Sequence, residues 1–291
     1  NDDSVSFTAE MFPSVEIIRN HSNRGYAGGY NETLKDLSEE IWVLLNNDVE
    51  VSPGWLDPIL DEFAKDPKLV AAQPKILDYK NKDCFEYAGA AGGFIDSFGY
   101  PFCRGRIFDY LEKDEGQYND TVPIFWATGA CLFVRKVAFE EVDGFDEDFF
   151  AHQEEIDLCW RLQSKGGQIK YFGNSTVYHL GGGTLDAAHP KKTFYNFRNT
   201  LLALVKNVSG LKVWWIIFLR LWLDGAAAFL FLLKGKPKHF WAVFRAHLSF
   251  YGLSGKFLKK RKQWASRIKY SKIKSVVWKY FILKKRNFIE L

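Results

Sequence analysis

Short apolar runs of strand length recur along the first part of the chain. They cover residues 15–19, Ile41–Leu45 and residues 69–72, and polar segments with helical periodicity lie between them. Strands and helices that alternate at this spacing predict an α/β fold with right-handed crossovers. Because the run Ile41–Leu45 is apolar at every position, we expect it to be buried on both faces, as in a parallel sheet covered by helices.

Two predicted helices lie between these strands. A glycine-rich turn at residues 23–31 is predicted to lead into a helix that ends near residue 37. Ser52 and Pro53 have the residue types of an N-cap and a first helical position. A second helix is therefore predicted to begin there and to end near residue 64.

Residues 78–121 interrupt this alternation, because they are rich in Gly, Asp and Tyr and show no period. We expect a long surface region there that serves as a substrate loop. Regular structure is predicted to resume afterwards, with a strand within residues 125–134, helices at 136–142 and 153–165, and strands at 169–172 and 176–179.

The C-terminal part has a different character. Residues 211–233 are strongly apolar and long enough to cross a bilayer, but Arg220, Asp224 and Gly225 interrupt them. Since charged side chains are costly at the bilayer centre, an in-plane or hairpin association with a membrane surface is favoured. A buried core helix is the alternative. We therefore expect an α/β domain over residues 1–205 and a helical, membrane-associated extension over residues 206–291.

Charge divides the chain in nearly the same place. Residues 1–200 carry 19 Lys and Arg against 33 Asp and Glu, whereas residues 201–291 carry 20 against 2, so the net charges are −14 and +18. Residues 256–286 hold 13 basic and no acidic residues, interleaved with aromatic ones. This pattern is typical of contact with an anionic membrane or with nucleic acid. The neighbouring apolar segment favours the membrane, and we expect no nucleic-acid partner.

Three polar features lie at the ends of predicted elements. Asp48 closes the tripeptide Asn46-Asn47-Asp48 after the run Ile41–Leu45, Glu154 and Glu155 begin a helix, and His179 ends a strand. Each has a structural alternative: a turn, a favourable charge at a helix start, or a structural histidine. However, open α/β sheets bind ligands at the carboxyl ends of their strands, and a carboxylate there can hold a divalent cation. Together the three features predict one site.

Six segments occur in an order that resembles a known family. They are NRGYAGGYN (23–31), LLNNDV (44–49), TGAC (128–131), GFDEDFF (144–150), EEIDLCWR (154–161) and HLGGG (179–183). In these segments the chain resembles the family 2 inverting glycosyltransferases, and most closely their bacterial rhamnosyltransferase-like branch. The resemblance covers about residues 1–205 and does not extend to the identity of the sugar.

The resemblance implies a GT-A fold, which is a Rossmann-like mixed sheet, and a nucleotide-diphosphate sugar donor held with Mg²⁺ or Mn²⁺. Asp48 takes the last position of the family's Asp-x-Asp metal motif, and His179 lies where some members supply a further metal ligand. Asn46 replaces the first Asp of that motif, which makes it a weaker contact to the donor. The other residues implied by the resemblance are donor contacts (Asn23, Gly25, Gly29, Asn31, Asn46 and Asn47) and acceptor contacts (Gly129 and Ala130).

The catalytic base is implied less sharply. Glu155 matches the second residue of the family's Glu-Asp motif, where the base is usually Asp, and a Glu reaches one methylene further. The choice between Glu154 and Glu155 therefore stays open. Inverting transfer needs a carboxylate that takes the acceptor hydroxyl proton and a cation that offsets the charge of the leaving diphosphate. Asp48 and Glu155, on different elements, meet these two demands.

Residues 1–5 resemble the end of the family's nucleotide-binding loop, which follows the second strand. The preceding strand-helix-strand unit, about 40 residues with its loop, would contribute strands between residues 15–19 and Ile41–Leu45. We therefore expect a GT-A sheet that lacks its first strands, with unpaired backbone groups and exposed apolar surface. A chain of this kind is expected to be unstable or inactive alone.

The leading functional hypothesis is a glycosyltransferase at the cytoplasmic face of the cell membrane that works in surface polysaccharide synthesis. Its expected partners are a nucleotide-diphosphate sugar, a glycan or polyprenyl-linked acceptor, and an anionic membrane surface. Four cysteines without CxxC spacing are typical of reduced thiols in a cytosolic protein. One alternative is an inactive remnant that serves as a membrane-bound interaction module. Another is a metal-dependent nucleotidyltransferase, which would not explain the glutamate pair followed by His179.

Overall fold

The computed structural model describes residues 3–181 and 189–291. Its helices are α1 (Ser4–Met11), α2 (Gly25–Leu34), α3 (Asp57–Lys65), α4 (Lys136–Glu141), α5 (Glu154–Ser164), α6 (Pro190–Asn207), α7 (Lys212–Leu233) and α8 (Pro237–Trp264). Its strands are β1 (Ile41–Leu45), β2 (Val49–Val51), β3 (Leu69–Asp78), β4 (Gly93–Ile95), β5 (Pro101–Cys103), β6 (Arg106–Ile107), β7 (Tyr110–Leu111), β8 (Thr121–Pro123), β9 (Cys131–Arg135) and β10 (Gln168–His179).

A mixed sheet lies at the centre of the fold, in the order β1-β9-β3-β10-β2, and β8 also pairs with β10. Among the described strands of this sheet, β3 and β10 are the pair that runs parallel, and the other pairs are antiparallel. The predicted α/β class and mixed sheet are confirmed, but the parallel setting expected for Ile41–Leu45 is wrong, since β1 runs antiparallel to β9. Strand β1 pairs only with β9 among the described strands, so it is an edge strand. Trp42 and Leu44 are buried and the alternate residues of β1 are half-buried, which corrects the expected burial on both faces.

The N-terminal segment departs from the sequence prediction. Residues 15–19 form no strand, because no described strand lies beside them to accept their backbone hydrogen bonds. Val15 and Ile18 are exposed, and α1 buries none of its residues. Helix α2 begins at Gly25, so the glycines at positions 25, 28 and 29 lie within the helix and not in a turn before it.

Helix α3 begins one turn later than predicted. Ser52 does not cap it, since its Oγ donates to the carbonyl of Thr176 at 2.6 Å, on the neighbouring strand. The chain turns through Gly54, at a φ of +70°, before the helix starts at Asp57. Ser52 and Pro53 therefore belong to the connection from β2.

One long strand replaces the two that were predicted before His179. β10 pairs in parallel with β3 along its length, with an irregularity between Phe172 and Thr176. Gly173 lies in this irregularity, where a Cβ would come within 2.3 Å of the carbonyl oxygen of Tyr118. The bend separates the half of β10 that pairs with β8 from the half that pairs with β2.

Residues 78–121 are not the expected surface loop. They contain an antiparallel sheet, β4-β5-β6-β7, that packs into the main core. Phe85, Phe102, Cys103 and Ile107 in this region are fully buried. The strands are two or three residues long, too short to give a period in the sequence, and this explains the wrong prediction.

The C-terminal helices pack against the α/β domain and share its hydrophobic core. Helix α6 runs without a break across the predicted boundary between residues 205 and 206. Ring contacts join the two parts, since Phe149 meets Phe257 at 5.6 Å and Trp160 meets Tyr270 at 4.7 Å between centroids. The basic segment after α8 also folds back, because the N–H of Val276 donates to Asp96 at 2.9 Å.

Helix α7 is fastened to the domain by the charges that interrupt its apolar sequence. Arg220 and Asp224 pair at 3.0 Å, and both are buried. Arg220 donates to the carbonyl of Phe98 (2.8 Å), while Tyr100 and His247 lie within hydrogen-bond distance of the Asp224 carboxylate. Within the described ranges, α7 is the helix whose length and composition would suit a membrane crossing. One of its sides, however, lies against the small sheet and α8.

Candidate functional site

The turn after β1 is fixed by its neighbours in the sheet. The N–H of Asn46 donates to the carbonyl of Ala130 (3.0 Å), next to the start of β9. β2 then runs antiparallel to β10, and the N–H of Leu180 donates to the carbonyl of Asp48 (3.0 Å). These pairings place the side chain of Asp48 beside that of His179.

His179 lies between two carboxylates. Its Nε2 is 3.1 Å from Asp48 Oδ1, and its Nδ1 is 3.4 Å from Glu86 Oε2. Burial lowers the pKa of His179, but hydrogen bonding and the charges of Glu86 and Asp48 outweigh it, so the pKa is raised overall. Sequence reasoning missed Glu86, because it lies in the region interpreted as a surface loop and belongs to none of the six motifs.

The Asp48–His179 pair offers one carboxylate oxygen and one imidazole nitrogen to a cation. In the part of the chain that the structure describes, no three His, Cys, Asp or Glu side chains form a group that could hold a metal. Two protein ligands are nevertheless sufficient for a cation that is bound mainly through substrate phosphates and water. Glu86 stands behind the imidazole, where a carboxylate fixes the orientation of a ligating histidine. The pair therefore fits a divalent cation that binds together with a diphosphate.

Glu154 and Glu155 form the buried first turn of α5. Burial raises the pKa of Glu154 well above its usual range, and the charge of Glu155 raises it further. Burial also raises the pKa of Glu155, to about 7, although backbone N–H groups at the helix start oppose this. Since two close carboxylates resist double ionisation, the pair holds a proton at neutral pH. The negative charge that remains on the pair lies on Glu155.

The loop before α5 has an unusual backbone. Phe150, His152 and Gln153 have φ values of 65°, 65° and 75°, in the left-handed region that non-glycine side chains rarely adopt. Such residues cost free energy and persist only where their surroundings hold them. This loop ends at Glu154, so its conformation sets the direction in which the glutamate pair points.

Asn199 on α6 holds this loop. The residue is fully buried, and its Nδ2 lies 3.0, 2.9 and 2.7 Å from the carbonyl oxygens of Phe149, Ala151 and His152. The neighbouring Arg198 donates to Asn199 Oδ1 at 2.8 Å. One amide therefore satisfies the carbonyl groups that the left-handed backbone turns away from regular structure. No motif in the sequence indicated Asn199.

Ion pairs hold the same loop to the C-terminal helices. Lys206 of α6 is 1% exposed and contacts Asp146 at 2.7 Å and Asp157 at 2.8 Å. Lys260 of α8 contacts Asp146 and Asp148. Although burial opposes ionisation, the two lysines lower the pKa of Asp146 overall. The GFDEDFF segment is thus tied to α6, at the predicted domain boundary, and to α8, which lies outside the predicted catalytic domain.

The predicted donor contacts of the glycine-rich segment differ in whether other parts of the protein already contact them. Gly25 and Asn31 have structural partners: a Cβ on Gly25 would lie 2.2 Å from the carbonyl oxygen of Phe150, and the Asn31 amide exchanges two hydrogen bonds with the backbone of Phe145 (2.8 and 2.9 Å). Asn23 accepts from the N–H of Gly25 at 2.9 Å. Gly29 faces open space, with only Asn20 near an added Cβ.

Tyr26 connects the remaining predicted residues. Its hydroxyl donates to the carbonyl of Gly129 at 2.8 Å, next to Ala130. Burial raises the pKa of Tyr26, and Tyr30 and then the charges of Glu154 and Glu155 raise it further. Asn46 and Asn47 lie half-buried and exposed at the end of β1. The Asp48–His179 pair and the glutamate pair share no direct contact, but the charges of Glu86 and Glu155 both act on the buried Cys103 thiol. Gly182 and Gly183 of the HLGGG segment lie outside the described residues.

Some of the buried polar atoms without a hydrogen-bond partner belong to the glutamate pair and to residues near it, and others lie elsewhere in the described chain. They include Glu154 Oε2, Glu155 Oε2, His152 Nε2 and Arg106 Nε. Native proteins satisfy nearly all buried polar groups, so such atoms call for a ligand, an ion or water. The unpartnered carboxyl oxygens make the start of α5 a candidate binding site.

The glutamate pair makes stability depend on pH. A folded-state pKa raised to about 7 contributes stability that is fully present below the ordinary Glu pKa, about 4.3, and is lost as pH rises through about 7. Glu155→Gln should therefore raise the free energy of unfolding by on the order of 1–3 kcal/mol at about pH 8.5 and much less at about pH 4.5. Urea unfolding at both pH values measures this. A gain that is equal at the two values would contradict the buried charge.

Replacing the Asn199 amide should loosen the loop. Asn199→Asp removes the donor to three buried carbonyl groups, and we expect a loss of about 1–3 kcal/mol in the free energy of unfolding at neutral pH. Asn196→Asp, one turn earlier on α6 and less buried, is the matched control and should change stability by less than about 0.5 kcal/mol. Equal effects of the two substitutions in urea unfolding would refute the assigned role.

The chain is similar to known glycosyltransferases. A solved mannosyltransferase from Pyrobaculum calidifontis, in complex with GDP-Man and Mn²⁺, superposes with a TM-score of 0.48 at 13% identity over 90% of this chain and 72% of that chain. Residues 1–143 match the family model described as glycosyl transferase family 2.

Two relatives in sequence are bacterial proteins. The N-acetylglucosaminyl-diphospho-decaprenol L-rhamnosyltransferase of Mycobacterium tuberculosis is 28% identical over 245 residues, which cover 78% of each protein. The O-antigen biosynthesis protein RfbC of Myxococcus xanthus is 30% identical over 155 residues, which cover 51% of this chain and 12% of that protein. The match of residues 1–143 to the family model and the likeness to the rhamnosyltransferase support a family 2 glycosyltransferase, and the mixed α/β sheet agrees with the GT-A fold that the resemblance implied.

Proposed function

We propose that the protein transfers a sugar, with inversion, from a nucleotide-diphosphate donor to a lipid-linked or surface glycan. The observation that carries the proposal is the half-buried Glu155 at the start of α5, where desolvation raises the pKa of its carboxyl to about 7; the Asp48–His179 pair supports the proposal from the strand ends. A carboxylate whose pKa lies near the working pH is suited to general-base catalysis. The M. tuberculosis relative is named for transfer to a diphospho-decaprenol-linked sugar, which supports a polyprenyl-linked acceptor in polysaccharide synthesis.

The two glutamates suit different roles. Glu154 is 5% exposed, and its strongly raised pKa keeps it protonated. Glu155 is less buried and ionises near neutral pH, so we assign it the removal of the acceptor hydroxyl proton. The acceptor oxygen, freed of its proton, then attacks the anomeric carbon from the face opposite the departing nucleoside diphosphate. Glu154 would stay protonated, so that the negative charge of the pair lies on Glu155.

Asp48 and His179 would hold the divalent cation on the leaving-group side. When bound, the metal would offset the negative charge that the diphosphate gains as it departs. Mg²⁺ prefers oxygen ligands, whereas an imidazole nitrogen next to a carboxylate suits Mn²⁺ better. We therefore infer that Mn²⁺ supports transfer at least as well as Mg²⁺. Asn23, Gly29, Asn46 and Asn47 remain available to the donor, and Gly129 and Ala130 to the acceptor.

Substitution of the two carboxylates tests these roles. Asp48→Ala should remove the metal contact and Glu155→Gln the base, so each should lower kcat by roughly 10²–10⁴-fold. In the wild type kcat should rise with pH through about 7, because Glu155 must lose its proton. The measurement is release of nucleoside diphosphate from candidate donors with Mn²⁺ and a polyprenyl-diphosphate-linked sugar.

The exposed Asp61→Ala on α3 is a control that should keep full activity. Wild-type rates in either active-site variant would remove the role assigned to that residue. A wild-type chain that shows no transfer with any donor, while binding Mn²⁺ and diphosphate, would favour the inactive membrane-bound module instead.

We propose in addition that α7 lies in the plane of an anionic membrane at the cytoplasmic face. The Arg220–Asp224 pair fastens the middle of α7 to the domain, so the helix cannot leave it to cross a bilayer. Its outer side carries exposed aromatic residues, among them Trp214, Trp215, Phe218 and Trp222. Tryptophan favours the membrane–water interface, and the net charge of +18 over residues 201–291 would attract anionic lipid.

Removal of two of these rings should weaken membrane binding. Trp215 and Trp222 are 64% and 70% exposed, so the double change to Ser should not disturb the core. Each large apolar side chain contributes about 1.5–3 kcal/mol when it leaves water, and the pair should therefore reduce partitioning by at least about tenfold. Sedimentation with phosphatidylcholine–phosphatidylglycerol vesicles measures this. Val137→Ser, an exposed apolar position on α4, is the control, and equal partitioning of both variants would contradict the orientation.

A further inference from the structure

Arg106 is a buried cation without a counter-ion. It begins β6 and is 6% exposed. One guanidinium nitrogen contacts Cys103 Sγ at 3.4 Å, the group lies 4.6 Å from the centroid of the Tyr87 ring, and Nε has no hydrogen-bond partner. Burial raises the pKa of the Cys103 thiol, so this neighbour is neutral. Nothing in the described ranges places a carboxylate within ion-pair distance of Arg106.

The other buried arginines of the described chain all have oxygen acceptors. Arg104, Arg161 and Arg220 pair with Asp120 (2.6 Å), Asp157 (2.8 Å) and Asp224 (3.0 Å), and Arg198 donates to the carbonyls of Asp148 and Phe149. A buried charge without such a partner is costly. Arg106 therefore differs from every comparable residue in the same protein.

Arg106 lies beside the proposed active site. Glu86, the carboxylate that faces His179 Nδ1, also raises the pKa of Arg106 through its charge. The adjoining Cys103 is affected by the charges of both Glu86 and Glu155. The Tyr87 ring that covers the guanidinium is 43% exposed, so the cluster reaches solvent at this ring. Lys192 lies 5.5 Å from the centroid of the same ring and adds a second positive charge.

We propose that Arg106 binds a phosphate group of a substrate diphosphate. A guanidinium presents its donors in a planar fork that matches phosphate oxygens and holds them by charge-assisted hydrogen bonds. A phosphate there would supply the acceptor that Nε lacks and the charge that the burial of Arg106 requires. The proposal rests on the proposed function, which supplies two sources of diphosphate, the nucleotide sugar and the lipid-linked acceptor.

Inorganic pyrophosphate tests the site without catalysis. In EDTA, so that no metal at Asp48 and His179 contributes, pyrophosphate should raise the Tm of the wild-type protein, because a ligand that binds the folded state stabilises it. Arg106→Met should bind pyrophosphate at least about tenfold more weakly, as expected for loss of one charge-assisted contact of about 1.5–3 kcal/mol. Arg106→Gln carries the same expectation if the Met variant does not fold.

Arg104→Met is the matched control. Arg104 lies two positions earlier in the same hairpin and is equally buried, but it is paired with Asp120. This variant should lose stability and keep the pyrophosphate response, whereas Arg106→Met should not lower the Tm of the ligand-free protein by as much. A pyrophosphate response in the Arg106 variants equal to that of the wild type would overturn the proposal. Such a result would leave the proposed transfer reaction untouched, since no turnover is measured.

A second measurement identifies the source of the phosphate. With Mn²⁺ present, UDP, GDP and dTDP are titrated against the wild type and Arg106→Met. If a nucleotide that binds the wild type binds the variant equally well while pyrophosphate binding in EDTA is lost, Arg106 holds the diphosphate of the acceptor. If nucleotide binding weakens in parallel, it holds the diphosphate of the donor. Both results support a phosphate site at Arg106.

Discussion

The hydrogen bonds from Asn199 to the loop before α5 are the constraint on which the site depends. Three non-glycine residues of this loop have positive φ angles, a conformation that costs free energy unless neighbouring groups stabilise it. The buried carbonyl groups of the loop also need hydrogen-bond donors. Asn199 supplies them from α6, and Lys206 adds charge pairing to the same segment. The direction of Glu155 therefore depends on a helix about 45 residues further along the chain.

Buried charged groups near α6 and α7 differ from the glutamate pair in whether they have hydrogen-bond partners. Around α6 and α7, buried charges such as Lys206, Arg220 and Asp224 each have partners at hydrogen-bond distance. In front of α5, the carboxyls of Glu154 and Glu155 have oxygens that lack partners. Pairing these oxygens would favour stability, and buried polar atoms without partners are typical of functional sites.

Sequence motifs predicted the family, the α/β class and the neighbouring positions of Asp48 and His179, because these depend on local patterns at strand and helix ends. They did not predict the parts that depend on distant contacts. β1 is an edge strand although its sequence is apolar throughout, since burial depends on which strands lie beside it. The small sheet of β4 to β7 leaves no period in the sequence, and Glu86 and Asn199 have no local signal. Their roles arise only when the chain brings them to His179 and to the loop before α5.

The continuity of α6 across the expected domain boundary has a consequence for the protein's evolutionary history. Catalytic domains exchange partners when the segment that joins them carries few interactions, so recombination within a linker leaves each part intact. Here a junction before α6 would separate the glutamate pair from the amide and the lysine that hold its loop in place. Helix α6 is therefore part of the same unit as the glutamate pair, and the contacts of Phe257 and Lys260 with the GFDEDFF segment include α8 in that unit.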